Sequence, residues 1–73
     1  MDLQEHMDSL GVNERELARE SRLSMATIRK AKDGRPLNKR AVGWLLDALS
    51  RKYGRTIERE EVEGLLVADE PHA

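Results

Sequence analysis

Six cationic side chains occur between residues 29 and 40, a segment that contains one acid. They are Arg29, Lys30, Lys32, Arg35, Lys39 and Arg40. Guanidinium and ammonium groups bind phosphate oxygens, and Arg can also donate two parallel hydrogen bonds to the O6 and N7 atoms of guanine. This concentration of cations favours a polyanionic partner, provided that the fold holds the side chains on one surface.

The charge of the chain falls into three blocks, although its formal net charge is −1. Residues 1–20 carry a net charge of −4, residues 21–55 carry +8 and residues 56–73 carry −5. A near-neutral total argues against a nucleic-acid partner, whereas the basic central block favours one. The alternative is a helical surface whose charges have no common partner.

Other kinds of chemistry lack the residues that they need. The 73-residue chain has no Cys, and its two His residues, His6 and His72, lie near opposite ends. No nucleophile–base pair or metal-ligand spacing is present, and His6 is predicted to be a surface residue. We therefore expect no enzyme activity, no metal and no cofactor. The absence of a signal-peptide pattern and of a run of ~20 apolar residues predicts a cytoplasmic protein, associated with the nucleoid.

Four helices are predicted to position the cations, within one domain at residues 1–67. Apolar spacing and capping residues place these helices at residues 3–10, 14–21, 25–32 and 39–52. The predicted N-caps are Asp2, Asn13, Ser24 and Asn38. Glu5 and Glu16 are expected to complete capping boxes with the first two. Arg22 lies at the joint between the second and third helices, where a left-handed conformation would cost about 1 kcal/mol.

The same spacing predicts which residues face the core. In the third helix Ile28 and Ala31 should point inward, and the residues expected to point outward are Met25, Ala26, Arg29, Lys30 and Asp33. In the fourth helix Trp44 falls opposite the apolar stripe. Residues 58–63 are predicted to form a short helix, residues 65–67 an extended segment or a further helical turn, and residues 68–73 a frayed tail.

Several residues between positions 10 and 35 fit one known pattern. They are Asn13 at a helix start, the pair Leu17 and Ala18, Leu23 and Ser24 before the next helix, the pair Thr27 and Ile28, and Gly34. At these spacings the segment resembles the helix-turn-helix of the phage Cro and repressor family, also called the XRE family. The resemblance extends over about residues 3–53. It implies an all-α, lambda-repressor-like fold, a compact four- to five-helix bundle that contains a helix-turn-helix.

The resemblance also implies a function. Members of the family typically regulate transcription, often as repressors, and bind double-stranded operator DNA as homodimers with the third helix in the major groove. Base contacts would fall on Met25, Ala26 and Lys30, with Arg29 adjacent. Met25 and Ala26 could only meet a thymine methyl or leave room, so Arg29 or Lys30 should dominate specificity at ~1–3 kcal/mol for each good pair. The alternative is that both cations contact phosphate alone.

Phosphate contacts are implied for the helix starts and for the loop after the third helix. These residues are Asn13, Ser24, Lys32, Arg35, Asn38, Lys39 and Arg40. For the loop, the alternative is a solvated basic segment. Glu14 departs from the Gln that often follows Asn13 in the family. A phosphate would repel its carboxylate unless Arg15 or a cation of the third helix neutralises it.

Self-association is expected through apolar residues that have no obvious place in the core, namely Trp44, Leu65, Leu66 and Val67. The alternative is that the tail covers Trp44 within one chain. A different class of function also stays open, namely a protein-interaction module, such as an antirepressor or an antitoxin-type partner. The apolar start of the third helix, Glu14 and the net charge favour this alternative.

Overall fold

The computed structural model describes residues 1–68, which consist mainly of helices. Four α-helices follow one another: α1 (Leu3–Leu10), α2 (Glu14–Ser21), α3 (Met25–Lys32) and α4 (Lys39–Tyr53). The first three match the predicted bounds, and α4 is one residue longer. The helix predicted at residues 58–63 is reduced to a 3-10 turn at Arg59–Glu61. Within the described residues, no helix is long and apolar enough to cross a membrane.

The four predicted N-cap residues all begin their helices. The side chains of Asp2, Asn13, Ser24 and Asn38 each accept a hydrogen bond from a backbone N–H in the first helical turn. The expected second capping box is only half formed. Glu16 does not return a bond to its cap, because its carboxylate accepts a hydrogen bond at 2.9 Å from Lys52 of α4. This pair joins α2 to α4, and the hydrogen bond that Lys52 donates to Glu16 raises the pKa of the Lys52 amine.

The turn between α2 and α3 depends on Arg22. Its backbone is left-handed, with φ 62° and ψ 27°, as predicted for the joint. Among residues 1–68 it is the one residue with a side chain that has a positive φ, a conformation that costs about 1 kcal/mol for such residues. Its N–H and that of Leu23 bond back to the end of α2, which fixes the direction in which α3 leaves.

The core is aliphatic and lies between the four helices. Leu17 of α2, Ile28 of α3, and Leu45 and Leu49 of α4 are all fully buried. Burying each of these side chains contributes about 1.5–3 kcal/mol. Because α3 packs against both α2 and α1, and α2 also packs against α4, the orientation of α3 is held from its inner side.

The described C-terminal segment folds back onto the connection between α3 and α4. The N–H of Leu37 donates to the carbonyl of Leu66 at 3.0 Å, and the N–H of Ala68 donates to the carbonyl of Leu37 at 2.7 Å. Of the two alternatives for residues 65–67, the extended one is therefore observed. Ala68, where the frayed tail was predicted to begin, is hydrogen-bonded, and the rest of that predicted tail, residues 69–73, lies outside the described residues.

His6 is buried, and the prediction that it lies on the surface is wrong. Its side chain is 5% exposed. The Nε2 atom donates to the backbone carbonyl of Glu61 at 2.7 Å, because a carbonyl oxygen can only accept. In the neutral ring Nδ1 then accepts from the hydroxyl of Tyr53. His6 thus ties α1 to the end of α4 and to the 3-10 turn, which is a structural role.

Candidate nucleic-acid interface

One side of α3 is fixed in the core and the other side is exposed. Ile28 and Ala31 are 0% and 4% exposed, respectively, where α3 packs on its neighbours. Ser24 begins the helix, and its hydroxyl accepts from the N–H of Thr27 and bonds the Thr27 hydroxyl. The predicted outward residues Ala26, Arg29 and Lys30 are exposed. A short helix anchored in this way presents its outer residues on a rigid backbone.

Met25 departs from the prediction that it points outward. It is partly buried and packs against the core. It also lines a shallow groove with Val12, Asn13 and Lys32, at the start of α2. The first residue of α3 is therefore turned toward α2 rather than fully toward solvent, which leaves Ala26 as the exposed small residue at the start of the helix.

Glu14, at the start of α2, binds two cations of α3. Its Oε1 accepts a hydrogen bond from Nε of Arg29 at 3.0 Å, and its Oε2 accepts one from Nζ of Lys32 at 2.8 Å. Hydrogen bonds from Lys32 and then from Arg29 hold the pKa of the Glu14 carboxyl below its ordinary value. The carboxylate that would repel a phosphate is thus neutralised by cations of α3, and the three side chains together carry a net charge of +1.

The two cations are held in different ways. The side chain of Lys32 is 23% exposed and its amine points at Glu14, so its predicted phosphate contact would require it to leave this ion pair. The side chain of Arg29 is 60% exposed and is held through Nε alone. Its two terminal amino groups have no hydrogen-bond partner among residues 1–68. Glu14 therefore limits the directions in which the free edge of the Arg29 guanidinium can point.

A second group of cations lies on the connection from α3 to α4. Arg35, Lys39 and Arg40 are exposed. Lys39 and Arg40 form no ion pair within the described part of the chain, and Arg35 lies 3.9 Å from Asp33. Asn38 caps the N–H of Ala41, so its amide oxygen is occupied. The backbone N–H groups of Lys39 and Arg40 make no protein hydrogen bond in residues 1–68 and point out of the start of α4.

Asn13, the other residue predicted to contact phosphate from a helix start, is exposed. Its side-chain oxygen accepts from the N–H of Glu16 at 2.7 Å, which leaves its amide NH₂ as a possible donor. The predicted phosphate contacts therefore divide into three groups. Arg35, Lys39 and Arg40 are exposed, the oxygens of Asn13, Ser24 and Asn38 are used in capping, and Lys32 is paired with Glu14.

The residues predicted to mediate self-association do not form one patch. Leu65 is 3% exposed and belongs to the core of its own chain, and Val67 is partly buried against that core. Leu66 is 46% exposed and Trp44 is 43% exposed. The described part of the tail thus pairs with Leu37 and does not cover Trp44, which leaves Trp44 on the surface of α4.

The described residues contain no group of three or more His, Cys, Asp or Glu side chains that could hold a metal ion. Glu14 is the residue of this surface whose role depends on contacts that the sequence alone did not assign. Its partners lie 15 and 18 residues away, on a different helix. The available signal was its position directly after Asn13, at the start of the helix that contacts α3. No protein-family model, curated protein or solved structure matches the chain in comparisons with known proteins.

Proposed function

We propose that the protein is a sequence-specific DNA-binding regulator of transcription that acts in the cytoplasm, at the nucleoid. In this proposal α2 and α3 form a lambda-repressor-like helix-turn-helix, and α3 enters the major groove of a (pseudo)palindromic operator bound by two copies of the chain. The observation that carries it is that five cations between α3 and the start of α4 are all exposed. These cations are Arg29, Lys30, Arg35, Lys39 and Arg40.

The dimensions of α3 suit this role. An α-helix with its side chains is ~10–12 Å across, and the major groove of B-DNA is ~12 Å wide and admits one helix. The eight residues of α3 are ~12 Å long at 1.5 Å per residue. Because Glu14 binds Nε of Arg29, the two terminal amino groups can donate to O6 and N7 of one guanine. Lys30 is exposed beside it and can reach a second base or a phosphate.

In this proposal the start of α4 supplies the contacts to phosphate. The side chains of Arg35 and Lys39 provide positive charge, and the free N–H groups of Lys39 and Arg40 can donate to a phosphate oxygen. Such contacts fix the register of α3 on the duplex without reading its sequence. Affinity and specificity would therefore depend on different parts of the same surface.

The first test is selection of bound duplexes from a random pool, followed by measurement of affinity against salt concentration. The selected sites should share a sequence with two-fold symmetry. The logarithm of the binding constant should fall with the logarithm of salt concentration, with a slope of about −0.9 for each phosphate neutralised. Binding that does not change with salt, or a pool that shows no enrichment, would rule out this function.

Variants separate base reading from phosphate binding. Arg29→Ala and Lys30→Ala should relax the sequence preference, whereas Lys39→Ala should weaken binding to all sequences alike. Arg59→Ala is a matched control, since it also removes one exposed cation but lies on the 3-10 turn in the acidic C-terminal block. The assignment of base-reading residues is wrong if Arg29→Ala, Lys30→Ala and Lys39→Ala have the same effect.

The second candidate is a protein-interaction module, such as an antirepressor or an antitoxin-type partner. Two observations favour it: Glu14 uses two cations of α3 in internal ion pairs, and Trp44 is 43% exposed. This candidate predicts no DNA selected from the pool and an unchanged pool affinity after Lys39→Ala. The salt series and that one variant therefore distinguish the two functions.

A further inference from the structure

Gly43 lies in the interior of α4 although nothing among residues 1–68 requires a glycine there. An interior glycine destabilises a helix by roughly 0.5–1 kcal/mol relative to alanine. Gly43 is exposed, and a Cβ added to it would have no atom within 4 Å. Its conformation is helical, unlike that of Gly34 or Gly54, whose φ angles are positive. A small residue at this position is explained if another backbone approaches it from outside the chain.

The residues around Gly43 form one face of α4. Three residues lie on the same side of the helix as Arg40, because they follow it by three, four and seven positions. They are Gly43, Trp44 and Asp47. All four are exposed. Neither Arg40 nor Asp47 forms an ion pair within residues 1–68. The face thus combines the aromatic ring of Trp44, the backbone of Gly43 without a side chain, and one cation and one anion that form no ion pair within residues 1–68.

The order of these residues is self-complementary. Arg40 and Asp47 lie equally far from the midpoint between Gly43 and Trp44. If a second copy of α4 lies antiparallel across this face, with a two-fold axis at that midpoint, each Arg40 meets an Asp47 of the partner subunit. The two Gly43 backbones can then approach closely, and the two Trp44 rings pack beside them.

We propose that this face of α4 is the homodimer contact, with α4 paired antiparallel to α4 of a second copy in the register given above. The carrying observation is the charge complementarity of Arg40 and Asp47 about Gly43 and Trp44. The proposal replaces residues 65–67 as the expected interface, since Leu65 is buried in its own chain. It also assigns Arg40 to the dimer, which leaves the side chains of Arg35 and Lys39 for phosphate.

The biological use of this dimer rests on the proposed function, because two copies would present two α3 helices to a symmetric site. Its test does not, since the measurement is made without DNA. Sedimentation equilibrium of the full chain from about 1 µM to about 1 mM should show a monomer–dimer equilibrium, a range that suits a small interface. Trp44 is the only Trp of the chain, so its emission maximum should shift to shorter wavelength over the same range.

Charge exchange tests the register. Arg40→Asp and Asp47→Arg should each raise the dimer dissociation constant at least about tenfold, because two-fold symmetry creates two like-charge contacts in every dimer. The double variant Arg40→Asp/Asp47→Arg should restore dimerisation. Glu60→Arg makes the same charge change as Asp47→Arg at an exposed position outside α4 and should leave the equilibrium unchanged.

Gly43→Ala provides a second, independent test. It should raise the urea midpoint of the monomer, because alanine favours the helix and the added methyl meets nothing, yet it should weaken the dimer. The proposal is overturned if the chain stays monomeric up to about 1 mM, a concentration at which an association free energy of ~4 kcal/mol would give a dimer. This holds whether or not the face binds another protein. A dimer that is insensitive to Gly43→Ala and to the single charge changes also overturns the proposal. If the chain stays monomeric and still binds DNA, the dimer contact and the two-copy operator are both refuted, whereas DNA binding itself stands.

Discussion

Glu14→Gln tests the proposed DNA surface at its acidic residue, whose carboxylate a phosphate would repel. The substitution keeps the size and shape of the side chain but removes the charge that binds Lys32 at 2.8 Å and Arg29 at 3.0 Å. Lys32 should then become available to a phosphate, and Arg29 should lose the contact that directs its guanidinium. We expect tighter binding to non-specific DNA at low salt, together with weaker discrimination between sequences.

The size of the effect follows from the number of cations released. One or two additional phosphate contacts should make the salt slope more negative by about 0.9–1.8. Between 50 and 200 mM salt, the advantage of the variant over wild type should therefore shrink by about 3.5- to 12-fold. If Arg29 reads one guanine, the preference for the selected site should fall by about 5- to 160-fold, which is the discrimination of one bidentate pair.

Fluorescence anisotropy with one selected duplex and one scrambled duplex, over a salt series, measures both quantities. Glu16→Gln is the matched control, because it removes the same charge from the same helix and also breaks an ion pair with a lysine, Lys52 of α4. Its slope and its specificity ratio should stay near those of wild type. If Glu14→Gln behaves like wild type, or if both variants shift alike, the cluster of Glu14, Arg29 and Lys32 does not lie at the DNA surface.

Four further predictions concern stability. Arg22→Gly should raise the free energy of unfolding in urea by about 1 kcal/mol through relief of the left-handed strain, and Gly54→Ala, at φ 75° with open space around the added methyl, should lower it by a similar amount. Tyr53→Phe removes the hydroxyl bonded to the buried His6 and should cost about 1–3 kcal/mol in the same assay, whereas no change would mean that water replaces it. Because its partners lower the pKa of Glu14, its ion pairs stabilise the fold above the ordinary value of 4.5 and lose this effect as the pH falls below it. The difference in unfolding free energy between wild type and Glu14→Gln should therefore shrink as the pH falls below 4.5; a constant difference would contradict this.

The helices could be predicted because their signals are local. Asp2, Asn13, Ser24 and Asn38 each cap a backbone N–H three residues later, so both members of the contact lie within one short window of sequence. The stops are equally local, since Arg22 and the glycines turn the chain within one or two residues. The all-α class and the bounds of the first three helices therefore follow from the sequence.

The contacts that were missed join distant parts of the chain. His6 lies 47 residues from Tyr53 and 55 residues from Glu61, so no local pattern could indicate that it is buried and bonded at both ring nitrogens. Glu16 fits a capping box, yet the arrival of Lys52 from α4 gives its carboxylate a cationic partner. In both cases a tertiary contact overrides what the neighbouring residues favour.

The candidate site shows the same division. Periodicity correctly predicted that Arg29 and Lys30 are exposed and that Ile28 and Ala31 are buried. It could not predict that Lys32 is paired with Glu14, because that ion pair depends on how closely α2 and α3 pack. The angle of Met25 on the helix predicts an outward side chain, but the groove at the start of α2 is close enough to cover part of it.

The ion pairs also explain why the net charge of −1 is a weak guide to the partner of this protein. Several acids are used inside the fold, since Glu14 binds cations of α3, Glu16 binds Lys52 and Glu61 binds Arg55. Lys30 and Lys39 have no such ion pair among residues 1–68. Charges further than about 8 Å from them are largely screened at physiological salt. What an approaching polyanion meets is therefore set by the local unpaired cations and not by the sum over the chain.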